Sequence, residues 1–185
     1  MITDIEVDVP VRTAYNQWTQ FEDFPLFMDH VHSIRQLSPT LLRWQVGIAG
    51  VHREWDAEIT EQTPDQRIAW HSVDGTANAG VVTFHALDDA RCRVVLQLDM
   101  HPEGVLEQIA DKGGIIEDRA KHDLIRFKEF IENRRYETGA YREEISRDAE
   151  PSPSARSSDA AHSDAAHSDA THSDATHSDA THSVA

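Results

Sequence analysis

The stretch from Glu54 to Ser72, EWDAEITEQTPDQRIAWHS, constrains the fold more than any other part of the chain. Arg53, Trp55, Ala57 and Ile59 share one parity, and Glu54, Asp56, Glu58 and Thr60 share the other. Side chains of a strand alternate faces, so this period gives one apolar face and one acidic face. Beyond the turn chemistry of Thr63-Pro64-Asp65-Gln66, Ile68 and Trp70 fall opposite Ala69 and His71. The spacing predicts two antiparallel strands with both tryptophans on the inner face. A sheet that is wet on one side and aromatic on the other covers something, either a packed core or a pocket.

The flanking sequence supplies the rest of such a sheet and a helix to cover it. Ile5, Val7 and Val9 alternate with acids, predicting a first strand. Pro10 suits the first position of a helix that carries Val11, Ala14, Tyr15 and Trp18 at helical spacing. A second short helix is expected over Glu22–Met28, then a strand over Ser33–Leu37. The next strand places Leu42, Trp44, Val46 and Ile48 on one face. Gly80, Val82, Phe84 and Ala86 share a face of a later strand, as do Cys92, Val94, Leu96, Leu98 and Met100 of the last. A long closing helix follows. Leu106, Ile109, Gly113, Ile116, Ala120, Leu124, Phe127 and Ile131 form one stripe at about 100° per residue. One long amphipathic helix needs one apolar sheet face to bury it, which makes the class α+β.

Acidic residues outnumber basic ones 33 to 17, a net charge of −16. Such a surface repels phosphate backbones and anionic lipid heads, so neither nucleic acid nor membrane insertion is expected. The single cysteine, Cys92, precludes a disulfide within the chain and suits a reducing compartment. The opening MITDIEVDVP lacks the basic and apolar regions of a secretory signal, so a cytoplasmic location is expected. Residues 136–150 are mostly charged and read as a helix end or linker. From residue 151 onward, Ser-Asp-Ala-(Ala/Thr)-His repeats without large apolar side chains, the composition of a disordered tail. Its histidines are metal-ligand types, but the plainer reading is a solvated extension, and no metal site is expected.

The EWDAEIT…RIAWHS pattern, the Gly80-x-Val82-x-Phe84 strand and the closing helix together resemble the polyketide cyclase/dehydrase branch of the START-like (SRPBCC) superfamily. That branch includes coenzyme Q-binding START-domain proteins. The resemblance spans about residues 1–135 and implies a helix-grip fold, a curved antiparallel sheet wrapped around the long C-terminal helix. It also implies a cavity between sheet and helix for a hydrophobic small molecule: a polyketide, quinone or lipid. The alternative it implies is an aromatase/cyclase that promotes aldol closure and dehydration of a polyketide chain. A third reading is a filled core with a structural role.

The candidate cavity wall comprises Phe27, Trp44, Arg53, Trp55, Trp70, Phe84, Met100 and Ile116, around a volume of about 300–1,000 Å³. Arg53 shares parity with Trp55; related cyclases place arginines inside the cavity to orient ligand oxygens, whereas a strand-end arginine reaches water. Asp123 lies within the helix stripe, where a carboxylate could take part in proton transfer. Arg119 and Arg126 are both within reach of it on a helix, and an ion pair is the plainer reading. His30 and His32 follow Asp29, and one of them could face a pocket as a base. No Ser-His-Asp order, phosphate loop, dinucleotide glycine pattern or HExxH is present, so no cofactor is expected.

Overall fold

In the computed structural model, residues 1–48, 51–74, 78–100 and 112–146 are described. Strand β1 spans Ile2–Val7, helix α1 Val11–Trp18, and a 3₁₀ helix Phe21–Leu26. Then come β2 (Val31–Gln36), β3 (Leu41–Ile48), β4 (Val51–Thr63), β5 (Arg67–Ser72), β6 (Asn78–Asp88) and β7 (Arg91–Met100). Helix α2 covers Lys112–Arg134, and the two-residue strand β8 covers Ile145–Ser146. All pairings are antiparallel, in the order β1-β7-β6-β5-β4-β3-β2, with β8 on β4. The sheet curves into a half-barrel whose concave face holds α2, the START-like helix-grip architecture.

The strand periodicities set which residues enter the core. In the β3–β4 pair, Leu42 opposes Ala57, Trp44 opposes Trp55 and Val46 opposes Arg53. One face therefore collects the apolar members, and Leu42, Val46, Ala57 and Ile59 are all buried. The register shifts at Thr60: Ile59 pairs with Trp70, and Glu61 with Ala69. This bulge inserts one unpaired residue and reverses the parity beyond it. Gln62, not Glu61, then turns inward beside Ile68, and both are completely buried.

Pro10 caps α1 rather than starting it, with its carbonyl accepting from the Ala14 amide at 3.2 Å. The second helix is 3₁₀, not α. Its three-residue repeat puts Phe21 and Phe24 on one face, and both are buried. On α2, Ala120, Leu124, Phe127 and Ile131 are buried as the stripe requires. Leu106 and Ile109 lie outside the described residues. Phe127 meets Trp18 edge-on at 4.9 Å and Phe27 at 5.3 Å, which ties α2 to α1 and to the 3₁₀ segment.

Helix α2 stops at Arg134, and Arg135 adopts a left-handed φ of 64°. Its amide donates to the Ile131 carbonyl at 2.8 Å, a C-terminal closure that redirects the chain. Residues 136–146 then form a non-helical strap across α1, ending where β8 pairs with Glu61 and Gln62 of β4. The repeat region from 151 lies outside the described residues.

Candidate functional site

Between the concave face of the sheet and α2 lies a cavity of about 180 Å³. Its sheet wall is Leu42, Trp44, Val46, Trp55, Ile59, Ile68, Trp70, Leu96 and Leu98. Trp18 of α1, Phe21 and Phe24 of the 3₁₀ helix, and Met28 and Val31 close one side. Arg119, Ala120, Asp123 and Leu124 of α2 close another. The volume is smaller than the range expected from sequence, because Phe21, Phe24 and Trp18 fill space that the strand pattern alone leaves open.

Three tryptophans dominate the wall. Trp44 and Trp55 are cross-strand partners, stacked nearly parallel at 4° with centroids 6.0 Å apart. Trp70 lies over its strand partner Gly80, where an added Cβ would come within 2.3 Å of the indole. Glycine at position 80 is what lets that ring lie flat against the sheet. The indole nitrogens of Trp44 and Trp55 are buried without a hydrogen-bond partner.

The polar side chains of the wall are His30, Asn78 of β6, Arg119 and Asp123. His30, in the turn before β2, lines the cavity together with Arg119 and Asp123. Burial pushes the Asp123 carboxyl up to about 6. Its Oδ1 is buried and has no hydrogen-bond partner. The ion pair expected for Asp123 does not form: Arg126 turns to Asp29 instead, in the turn before β2. That choice follows from the helix, since Arg126 points toward solvent where Asp29 is accessible. Burial, and next the Arg119 charge, holds the His30 imidazole below its ordinary pKa, so His30 is neutral at pH 7.

The sequence candidates divide accordingly. Trp44, Trp55, Trp70, His30 and Asp123 meet in the cavity. Phe27 and Phe84 are buried behind it: Phe27 packs on Phe24 and Phe127, and Phe84 on Tyr15 and Trp18. Arg53 has the inner-face register but lies near the start of β4, where its side chain is exposed and outside the cavity wall. The long arginine reaches water rather than crossing an apolar lining. His32 is also exposed, because its neighbour Val31 takes the inward position and alternation turns His32 to the outer face, toward His52 at 5.1 Å. The side chains of Met100 and Ile116 lie outside the described residues.

Sequence reasoning missed Trp18, Phe21, Phe24 and Arg119 as wall residues. The signal for Phe21 and Phe24 was present, since Phe21, Phe24 and Phe27 recur every three residues, a 3₁₀ period. Among the described residues, no group of three or more His, Cys, Asp or Glu could hold a metal, and no helix is long and apolar enough to cross a membrane.

Comparison with known proteins is consistent with this geometry. The family model for polyketide cyclase / dehydrase and lipid transport matches residues 7–129. An uncharacterized 17.2 kDa protein of Streptomyces lincolnensis is 58% identical over 139 residues, 75% of this chain and 93% of that one. A crystal structure of a Deinococcus radiodurans protein, DR_A0006, is 28% identical with a TM-score of 0.58, over 71% of this chain and 95% of that one. The Zhui aromatase/cyclase of Streptomyces sp. R1128 superposes with a TM-score of 0.63 at 15% identity, over 76% and 98% of the two chains. A START superfamily protein of Mycobacterium smegmatis gives 0.58 at 16%, over 72% and 94%. The last two show a shared fold. With its helix-grip architecture and the match over residues 7–129, this chain belongs to the polyketide cyclase/dehydrase and lipid transport family.

Proposed function

We propose that the protein binds one hydrophobic small molecule, of polyketide, quinone or lipid type, between its sheet and α2. The observation that carries this reading is the cavity itself. Protein interiors are packed to near crystal density, and a void of about 180 Å³ walled by three tryptophans forfeits many contacts. A ligand that fills it restores them. The lining is mostly apolar with four polar side chains, His30, Asn78, Arg119 and Asp123, the pattern of a site that takes a greasy body and orients it by few polar contacts. Titration with naphthalene, followed by tryptophan fluorescence, tests the reading. Saturable quenching with one site per chain is expected; linear, non-saturating quenching would count against it.

A cyclase reading is favoured by one specific observation, a carboxyl held near 6 beside the cavity. Such a group can exchange a proton near neutral pH, as aldol closure and dehydration require. Product formation from a short poly-β-ketone mimic, faster with the protein than without it and lost in Asp123→Asn, separates an enzyme from a carrier.

A further inference from the structure

We infer that the ligand is a compact aromatic of one or two rings whose phenolic or enolic hydroxyl is held by Asp123. The inference rests on the binding reading above and narrows it from three ligand types to one.

Size is the first argument. The cavity of about 180 Å³ is close to the roughly 150 Å³ at which a dry protein cavity accepts a single benzene ring. An extended polyketide chain or a long isoprenoid tail would have to run on past these walls. Shape is the second. The parallel Trp44 and Trp55 rings and the flat-lying Trp70 present π-faces, which pack best against another planar ring.

Polarity is the third argument. Asp123 is the one carboxylate in a wall whose other polar side chains are His30, Asn78 and Arg119, and its Oδ1 has no partner. An ionised carboxylate only accepts hydrogen bonds, so the complementary ligand group is a donor. The surrounding charges do not fill this role. On α2 the neighbours are Arg119, His122 and Arg126, and Arg126 is engaged by Asp29. From the turn before β2 come Asp29 itself and His30, whose imidazole burial keeps neutral. The facing strands supply Trp44, Trp55 and Trp70, which carry no charge. Because the Asp123 carboxyl sits at about 6, it is an acceptor at pH 7.5 and loses that charge at pH 5.

Calorimetric and fluorescence titrations of the full chain with 1-naphthol, 1-methoxynaphthalene, naphthalene and palmitate test the inference. The first two share a ring system and differ by one methyl group on the oxygen, and only 1-naphthol donates. At pH 7.5, 1-naphthol should bind about tenfold tighter than 1-methoxynaphthalene, and the gap should narrow at pH 5. Asp123→Leu should remove the gap between 1-naphthol and 1-methoxynaphthalene, and Asp123→Asn should leave a reduced gap. Equal affinity for 1-naphthol and 1-methoxynaphthalene in the native protein would overturn the role of Asp123. Palmitate binding in preference to 1-naphthol would overturn the compact-aromatic assignment and leave the binding reading intact. Absence of binding by all four would sink the binding reading itself.

Discussion

Two polar regions border α1 and α2, and they are built in opposite ways. Under the strap of residues 136–146, the buried polar side chains of α1 are matched closely. Asn16 donates to Glu137 at 2.7 Å and accepts from Arg142 at 2.7 Å. Gln17 donates to Thr138 Oγ1 at 3.1 Å and accepts from the Thr138 amide at 2.9 Å. Thr19 Oγ1 accepts from the Tyr141 amide at 3.0 Å. The exceptions there, the Tyr15 hydroxyl and Gln62 Oε1, are neighbours of one another. In the cavity, by contrast, Trp44 Nε1, Trp55 Nε1 and Asp123 Oδ1 are buried and unmatched. An unmatched buried polar group costs about 1–3 kcal/mol, so a fold keeps one where something else offsets it. The seam is finished by the chain itself. The cavity is left open by the chain, and the proposed ligand would fill it.

The largest test strikes the helix that both regions share. Phe127 is wholly buried against Trp18 and Phe27, and Phe127→Ala should lower unfolding free energy by about 3–5 kcal/mol in urea titrations. A change under about 1 kcal/mol would mean that α2 is not the common support.

Next is the seam. Arg142 pairs with Asp65 in a bidentate bond at 2.6 and 2.8 Å and also satisfies Asn16. Arg142→Ala leaves Asn16 Oδ1 buried without a donor and should cost about 2 kcal/mol, with no effect on naphthalene binding. Loss of binding together with stability would show that the two regions are not independent.

The cavity should respond in the opposite direction. Asp123 has its folded pKa raised from 3.8 to about 6, so ionising it opposes folding. The contribution of Asp123 to stability is therefore fully present below about pH 4 and is lost as pH rises through about 6. Asp123→Asn removes that loss and should stabilise the protein by about 1–2 kcal/mol at pH 7.5, a value reduced because the group is partly hydrated. The gain should vanish at pH 4. Thermal melts at the two pH values read both. A variant that stabilises while weakening ligand binding is what a functional orphan predicts.

The smallest effect is expected at the C-terminus. Truncation after Arg147 keeps the strap and β8 and should leave Tm within about 2 °C. A larger shift would place part of the seam's stability beyond residue 147.

The sheet was readable from the sequence because its signal has period two and persists over whole strands. Trp44, Trp55 and Trp70 lie where alternation puts them. Among the described residues the register shifts at His32, Thr60 and Leu87, and simple alternation in the sequence does not contain those shifts. Arg53 shows the other limit of parity, which gives the face of a residue but not how far along the strand the pocket extends. Asp123 was visible as a polar break in the α2 stripe. That Arg126 would choose Asp29 depends on a contact 97 residues away, which helix spacing cannot contain. The strap was unreadable for the same reason. Its partners on α1 are more than 120 residues distant, and its own charged composition resembles a linker.

The most direct test of the central contrast is a crystal structure grown with 1-naphthol. The account predicts one planar ring system among Trp44, Trp55 and Trp70, with its hydroxyl within about 3 Å of Asp123 and an unchanged seam beneath the strap. Side chains that have closed the cavity, with the ligand absent or bound elsewhere, would contradict it.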